Sequence, residues 1–197
     1  MKKIITLFIT FIALVSVVTC STKENSKVTD SNINKINGKD ILIVYFSHSG
    51  NTESIAKLIQ KETSSTIFEI KTKIPYPSDY SKLSQQAEKE QKENFLPELN
   101  EKVKDISKYK VIFIGYPIWL GNFPQPIASF LSQHQLSNKI IIPFSTSGAG
   151  SLANSVKNLK KLTPNSTFLD GISISEFNVN SSQKEVNNWL KKINIKK

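Results

Sequence analysis

One segment near the start of the chain combines a buried strand, a hydroxyl-rich turn and a helix. Residues 41–46 (ILIVYF) form an apolar, largely β-branched run, which is typical of a strand buried in a sheet. Residues 47–52 (SHSGNT) follow at once, and then Ile55, Leu58 and Ile59 recur at helical spacing. Backbone N–H groups at a helix start lack partners and lie at the positive end of the helix dipole, so they can hold a phosphate without a lysine. This segment therefore predicts a phosphorylated small ligand.

Apolar runs alternate with amphipathic segments along the rest of the chain. We predict strands near residues 40–46, 66–71, 110–116, 139–145 and 166–174. We predict helices near residues 51–63, 98–107, 125–134, 151–162 and 182–194. Parallel strands joined by helices need cover on both faces of the sheet. The pattern therefore predicts a doubly wound, three-layer α/β sandwich around a five-stranded parallel sheet.

Two regions carry more specific helical signals. Ser182 and Glu185 have the spacing of a capping box before the last helix, whose apolar stripe predicts that Trp189 lies in the core. Residues 76–80 (YPSDY) read as a turn, and residues 82–94 have helix-forming composition but few apolar side chains. We expect this second region to be a long, exposed connection that contains a helix.

A second loop of unusual sequence, after the one over residues 47–52, follows the strand near residues 110–116. It reads PIWLGNFP. In an open parallel sheet, ligands bind beyond the carboxyl ends of the strands. A tryptophan flanked there by Gly and Pro favours a flat face that stacks on an aromatic ligand, and Gly121 adds backbone freedom beside it. The alternative is that Trp119 folds back onto its own domain.

The third unusual loop, residues 145–151 (STSGAGS), is rich in small residues that allow a planar group to approach the backbone closely. Residues 148–153 (GAGSLA) also match a loose dinucleotide-binding pattern, with Asp170 twenty residues past Gly150. That pattern belongs after the first strand of a dinucleotide-binding unit. A nicotinamide dinucleotide is therefore the less favoured ligand of this loop.

Over residues 39–194 these loops resemble those of the flavodoxin family. The resemblance depends on Ser47-x-Ser49-Gly50-Asn51-Thr52, on residues 115–119 (GYPIW) and on residues 146–148 (TSG), in that order along the chain. It implies a sheet of strand order 2-1-3-4-5 that binds flavin mononucleotide (FMN) noncovalently. Carried over by position, the phosphate-binding residues are Ser47, Ser49, Gly50, Asn51 and Thr52. The isoalloxazine ring would lie between Pro117, Ile118, Trp119, Leu120 and Gly121 on one side and Thr146, Ser147 and Gly148 on the other.

The resemblance implies an electron carrier in which a peptide carbonyl near Gly121 rotates toward the flavin on reduction. Two departures keep an enzymatic alternative open. The third loop lacks the aromatic residue that covers the flavin in many carriers, and the chain is basic where such carriers are commonly acidic. The alternative is an FMN-dependent oxidoreductase that passes hydride from NAD(P)H to a quinone-type acceptor. A third hypothesis is a lipid-tethered binding module that has lost its flavin.

Residues 1–19 have the pattern of a bacterial export signal, with Lys2 and Lys3 before an apolar run. This run is too short to favour a permanent membrane span. Cys20, the only cysteine, lies where the run stops and resembles the acylated cysteine of a lipobox, with Thr19 in place of the usual Gly, Ala or Ser. We expect a signal peptide over 1–19, lipidated Cys20 with a tether over 20–38, and a domain over 39–197. The expected location is the outer face of a bacterial cytoplasmic membrane.

The formal net charge is +10, and lysines supply all of the positive charge. The lysines near residues 157–161 and 191–197 favour contact with anionic lipid or an acidic partner, or belong to a plain solvated surface. The absence of arginine and of nucleic-acid-binding motifs argues against nucleic acid. Neither His48 nor His134 lies near a carboxylate cluster in the sequence, so no metal site is expected. The expected partner is a redox protein or a small electron acceptor.

Overall fold

A computed structural model of the chain describes residues 36–148 and 151–195. The strands are β1 Ile41–Tyr45, β2 Thr66–Glu69, β3 Val111–Pro117, β4 Ile140–Ser147, β5 Thr167–Phe168 and β6 Ile172–Ser175. The α-helices are α1 Asn51–Thr63, α2 Tyr80–Glu93, α3 Gln125–Gln133, α4 Ala153–Leu162 and α5 Gln183–Lys192, and short 3-10 helices span Gly38–Asp40 and Glu176–Ser181. The predicted export signal and Cys20 lie outside the described residues, as do most of the predicted tether and the last two lysines. In the part of the chain that is described, no helix is both long and apolar enough to cross a membrane.

The sheet is parallel throughout, with the strand order β2-β1-β3-β4-β5 and with β6 also paired to β4. In the middle of the sheet, Ile43 of β1 lies beside Ile67 of β2 and Phe113 of β3. The carboxyl ends of β1, β3 and β4 therefore meet at one edge. The predicted doubly wound fold and the 2-1-3-4-5 order are confirmed.

Two short strands occupy the fifth position, where we predicted one continuous strand. The Ile140 N–H donates to the carbonyl of Lys110, the residue before β3, whereas the Leu169 N–H donates to the Ile141 carbonyl, so the backbone groups of odd-numbered β4 residues face the fifth position. Pro143 is one of them and has no N–H to donate. Gly171 lies against it, and an added Cβ there would come within 2.5 Å of the Pro143 carbonyl oxygen. The ladder is therefore interrupted between β5 and β6.

Alternate residues of β1 point into two hydrophobic layers on opposite faces of the sheet. Ile41, Ile43 and Tyr45 belong to the layer under α1 and α5, and Leu42 and Val44 belong to the layer under α3 and α4. The first layer also contains Ile55, Ala56, Ile59, Val186, Trp189 and Leu190. The second also contains Ile127, Phe130, Leu131 and Leu159. The sheet thus forms the middle layer of three, and Trp189 lies in the core as predicted.

The start of α5 differs from the prediction. Ser182 has helical backbone angles of φ −80° and ψ −2°, and its hydroxyl donates to the Val179 carbonyl at 2.8 Å. An N-cap residue needs an extended backbone to turn its side chain toward the first amides. Here the 3-10 helix Glu176–Ser181 continues directly into α5, so that conformation is absent. The predicted capping box of Ser182 and Glu185 is wrong, although the helix is present.

The connection between β2 and β3 does contain a helix in the expected region. The Asp79 carboxylate accepts a hydrogen bond from the Lys82 N–H at 2.9 Å, which caps the start of α2. The helix ends at Asn94, which has a left-handed backbone with φ 50°. Its buried residues are Leu83, Ala87 and Glu90.

The helix predicted over residues 98–107 is wrong. Leu99 instead forms an isolated antiparallel bridge with Thr72. The Asp105 carboxylate accepts a hydrogen bond from the Ser107 N–H at 3.1 Å, which competes with helical bonding. Leu99 still packs on the sheet with Val103, Ile106 and Tyr109. The apolar spacing thus comes from an irregular segment that covers the sheet.

Candidate functional site

A cavity of about 360 Å³ lies at the edge where the carboxyl ends of β1, β3 and β4 meet. The loops that follow these strands line it, and so does one face of α2. Small-molecule sites usually have volumes of roughly 300–1,000 Å³. The cavity is therefore large enough for one ligand of nucleotide size.

The loop between β1 and α1 presents backbone donors at this edge. Gly50 has φ 86°, a left-handed conformation that favours glycine, and it is the N-cap of α1. The backbone N–H groups of residues 49–52 have no hydrogen-bond partner among the described residues. Ser49 and Asn51 line the cavity, and no lysine is among the described residues that do so. The start of a 13-residue helix with unpaired amides is suited to binding an anion.

Three residues of this loop do not line the cavity. The Ser47 hydroxyl accepts a hydrogen bond from the Glu53 N–H at 3.3 Å. The hydroxyls of Thr52 and Thr146 lie 2.8 Å apart and are buried, so they join the first loop to the third. Gly50 contributes its backbone conformation. Ser47, Gly50 and Thr52 thus shape the loop, and the exposed His48, which the site prediction omitted, lines the cavity.

The loop after β3 is a tight hairpin. The N–H of Trp119 donates to the Asn122 carbonyl, and the N–H of Asn122 donates to the Trp119 carbonyl, each at 2.9 Å. Leu120 and Gly121 between them have φ values of 50° and 74°, as a type I′ turn requires. Pro117, Ile118, Trp119 and Leu120 line the cavity, whereas Gly121 lies at the exposed tip of the hairpin.

Trp119 packs on its own domain and also lines the cavity. Its ring makes edge-to-face contacts with Phe46, Tyr76 and His48, with ring centroids 5.5, 5.2 and 5.8 Å away. The side chain remains half-buried. Trp119 therefore folds back onto its own domain, and the contacts that hold the indole leave some of its surface at the cavity. Its stacking on an aromatic ligand stays a prediction.

A buried polar network holds α2 beside Trp119. The Tyr76 hydroxyl donates to the Glu90 carboxylate at 2.5 Å, and the Gln86 amide donates to the other carboxylate oxygen at 2.8 Å. The Gln125 amide donates to the backbone carbonyl of Glu90 at 3.2 Å. Burial, followed by the hydrogen bond to Glu90, raises the pKa of Tyr76 well above its usual value. Tyr76 therefore keeps its proton and remains a hydrogen-bond donor.

The cavity has a third side that the sequence prediction missed. Tyr80, Leu83, Ser84 and Ala87, which we call the α2 wall, line it. Their spacing places them on one face of the helix. The helical spacing of Leu83 and Ala87 is visible in the sequence. Two apolar residues do not show, however, whether that face of the helix covers the sheet or a ligand.

The loop after β4 provides the remaining side. Thr146, Ser147 and Gly148 line the cavity, and residues 149 and 150 are not described, so the dinucleotide pattern lies partly outside the described residues. Glu176, which the prediction missed, also lines the cavity, and an added Cβ on Gly148 would lie 3.3 Å from its carboxylate. Glu176 is the sole carboxylate among the described residues that line the cavity.

The sequence comparison with protein families and the structural comparison with solved proteins both find flavodoxins or flavoproteins. A family model described as Flavodoxin matches residues 40–193. A crystal structure assigned as a flavoprotein from Bacteroides eggerthii is 32% identical, with a TM-score of 0.71 over 81% of this chain and 100% of that one. A flavoprotein in complex with FMN from Lactobacillus acidophilus is 24% identical, with a TM-score of 0.63 over 76% and 99% of the two chains. No curated protein matches significantly.

Proposed function

Because this chain belongs to the flavodoxin family, as its match over residues 40–193 shows, we propose that it binds FMN noncovalently and acts as an electron carrier. One observation supports this most directly. A cavity of nucleotide size joins unpaired helix-start amides to a partly aromatic, apolar wall. The Lactobacillus acidophilus protein, which shares the fold, was crystallised in complex with FMN.

The lining residues fit the two ends of FMN. The amides of residues 49–52, with the side chains of Ser49 and Asn51, would hold the phosphate at the start of α1. Trp119, with Leu83 and Ala87 of α2, would hold the isoalloxazine ring and exclude water from it. Bound FMN supplies reversible electron transfer, and the protein sets its binding and its electrostatic environment. Glu176 adds negative charge to that environment and would disfavour further negative charge in the cavity.

The hairpin that contains Gly121 is where we expect the backbone to respond to reduction of the cofactor. An added Cβ at Gly121 would meet no atom within 4 Å, so Gly121→Ala changes the backbone preference without a steric clash. At φ 74° that substitution disfavours the observed conformation. We expect the two reduction potentials of the bound flavin to change relative to each other. Unchanged potentials would count against a role for this hairpin.

A second candidate function is an FMN-dependent NAD(P)H:quinone-type oxidoreductase. It is favoured by the third loop, whose described residues include no aromatic side chain, and by the exposure of Tyr80 and Leu120 beside the cavity. Both features leave room for a second planar reactant. Steady NAD(P)H oxidation by the purified protein with a quinone would support this candidate over a one-electron carrier.

We also propose that Cys20 is lipidated and attaches the protein to the outer face of the cytoplasmic membrane. The described part of the domain begins at the amino end of β1. The cavity lies at the opposite, carboxyl end of β1. A membrane anchor before residue 36 would therefore leave the cavity accessible to a redox partner or a small acceptor. Cys20→Ala should move the protein from the membrane fraction to the soluble fraction, and mass spectrometry of the amino-terminal peptide tests the lipid directly.

The experiment that tests FMN binding is expression of residues 21–197 and recording of the visible spectrum during stepwise reduction. We expect a yellow protein with one FMN per chain and a flavin spectrum that changes in steps. A colourless protein that takes up no added FMN would contradict the proposal and favour a binding module that has lost its flavin.

A further inference from the structure

Tyr80 lines the cavity while remaining 82% exposed. An aromatic side chain can bury 150–250 Å² of surface on contact. An apolar ring left in solvent at the edge of a cavity is surface that a planar ligand can cover. Tyr80 also makes no ring contact within the described part of the chain.

The backbone of Tyr80 is held firmly although its side chain is not. Asp79 caps the helix directly before it, through the Lys82 N–H, and the Leu83 N–H donates to the Asp79 carbonyl at 2.9 Å. Leu83 and Ala87 are buried one and two turns further along α2. Side-chain rotation about χ1 and χ2 is therefore the main motion left to Tyr80.

The other aromatic residues at the cavity are already engaged. Trp119 and His48 contact each other, and Trp119 also packs against Phe46 and Tyr76. Tyr80 is thus the one described aromatic ring at the cavity that can change its position without breaking a ring contact.

We propose that Tyr80 is a flavin-binding residue whose ring rotates over the cavity and stacks on the isoalloxazine of bound FMN. This inference rests on the proposed FMN binding and adds to it a residue from α2. Its effect should depend on the ring system of the ligand and not on the phosphate, because the unpaired amides of residues 49–52 belong to the start of α1 and Tyr80 belongs to α2.

The test compares Tyr80→Ala, Tyr80→Phe and a matched control, Phe177→Ala, in the purified protein. Phe177 is also 82% exposed but does not line the cavity. Dissociation constants for FMN and riboflavin are measured by titration, together with the fluorescence of the bound flavin. Circular dichroism checks the fold, which an exposed side chain should not affect.

We expect Tyr80→Ala to raise the dissociation constants of both flavins by about three- to tenfold. It should also increase the emission of the bound flavin, since stacking quenches it. Tyr80→Phe should stay within about twofold of the unchanged protein, because it keeps the ring. Phe177→Ala should behave like the unchanged protein.

The proposal is overturned if Tyr80→Ala binds and quenches both flavins like the unchanged protein, or if Phe177→Ala loses as much affinity. In those cases the proposed FMN binding still stands. An effect on FMN but not on riboflavin would also overturn it, since the contact would then be to the phosphate. Failure of the unchanged protein to bind FMN would refute the proposed function and this inference together.

Discussion

The β1–α1 loop and the β2–β3 connection both line the cavity, but different interactions determine their conformations. The first spans residues 47–52 and depends on local features, namely the left-handed Gly50, the start of α1 and the Ser47 hydroxyl. The second spans residues 70–110 and depends on contacts between distant residues, such as Tyr76 with Glu90 and Thr72 with Leu99. The side of the cavity proposed to bind the phosphate is therefore set mainly by local features, with one long-range contact between Thr52 and Thr146, whereas the α2 wall is set by tertiary contacts.

This difference predicts unequal local stability. The α1 helix packs Ile55, Ala56 and Ile59 into the main core, whereas α2 buries only Leu83, Ala87 and Glu90. Segments with few buried apolar contacts open at lower free energy. We therefore expect α2 to open before α1, which would give a flavin a route into the cavity.

The largest expected effect is alkaline unfolding of the whole domain. Burial is the main cause that raises the pKa of Tyr45, Tyr76 and Tyr116. In the unfolded chain each tyrosine loses its proton near pH 10, so above that pH the unfolded state binds fewer protons. The unfolding free energy should then fall by about 1.4 kcal/mol per pH unit for each tyrosine. Urea unfolding between pH 9 and 12 measures this slope.

The buried Lys139 makes the unfolding free energy rise with pH below about pH 10.4, opposite to the effect of the tyrosines. Burial lowers the pKa of Lys139, so the unfolded chain holds that proton to higher pH, and stability rises with pH until the unfolded lysine titrates. The net decline should therefore be steepest above that pH. Tyr45→Phe and Tyr76→Phe should each reduce the slope by about 1.4 kcal/mol per pH unit. An unfolding free energy that does not change from pH 10 to 12 would contradict the raised pKa values of the three buried tyrosines.

Tyr76→Phe should selectively weaken the α2 wall at neutral pH. It keeps the ring beside Trp119 but removes the hydrogen bond to the buried Glu90, which should cost about 1.5–3 kcal/mol. Hydrogen exchange should speed up in residues 80–93 more than in 51–63. Tyr80→Phe is the control, because Tyr80 is exposed and its hydroxyl has no partner among the described residues. Equal loss of protection in both helices would contradict the comparison.

Thr52→Val tests the phosphate side. It removes the hydroxyl contact to Thr146 and should lower stability by about 1 kcal/mol, while weakening FMN binding severalfold more than riboflavin binding. Thr63→Val is a matched control, since the Thr63 hydroxyl lies 2.8 Å from the Ser65 hydroxyl at the far end of α1. The control should lose similar stability and keep its flavin affinity. The same loss for both flavins in Thr52→Val would argue against a phosphate site here.

The smallest expected effect is electrostatic. Glu176→Gln removes the carboxylate that lines the cavity, so electron uptake should become easier, with a midpoint potential about 10–20 mV higher. Glu185→Gln is the control, because Glu185 is exposed and does not line the cavity. The shift should shrink at high salt. A shift of the same size in both variants would show a general charge effect.

Local patterns account for the correct predictions. The β1 run, the loop over residues 47–52 and α1 follow one another directly, so their period, turn and cap are all visible in a short window. The helix predicted over 98–107 fails because Leu99, Val103 and Ile106 contact the sheet from an irregular segment. The predicted fifth strand is present but interrupted, and the interruption depends on Pro143 in the neighbouring strand.

The amino-acid sequence by itself determined the parallel sheet, its alternation with helices, and most of the three loops at the carboxyl edge, because these depend on neighbours along the chain. Only the tertiary structure decided that α2 forms a side of the cavity, that Tyr76 and Glu90 hold it there, and that Glu176 faces Gly148. Those contacts join residues that are far apart along the chain, so no periodic pattern in the sequence shows them. They stabilise the protein only when the folded domain buries them.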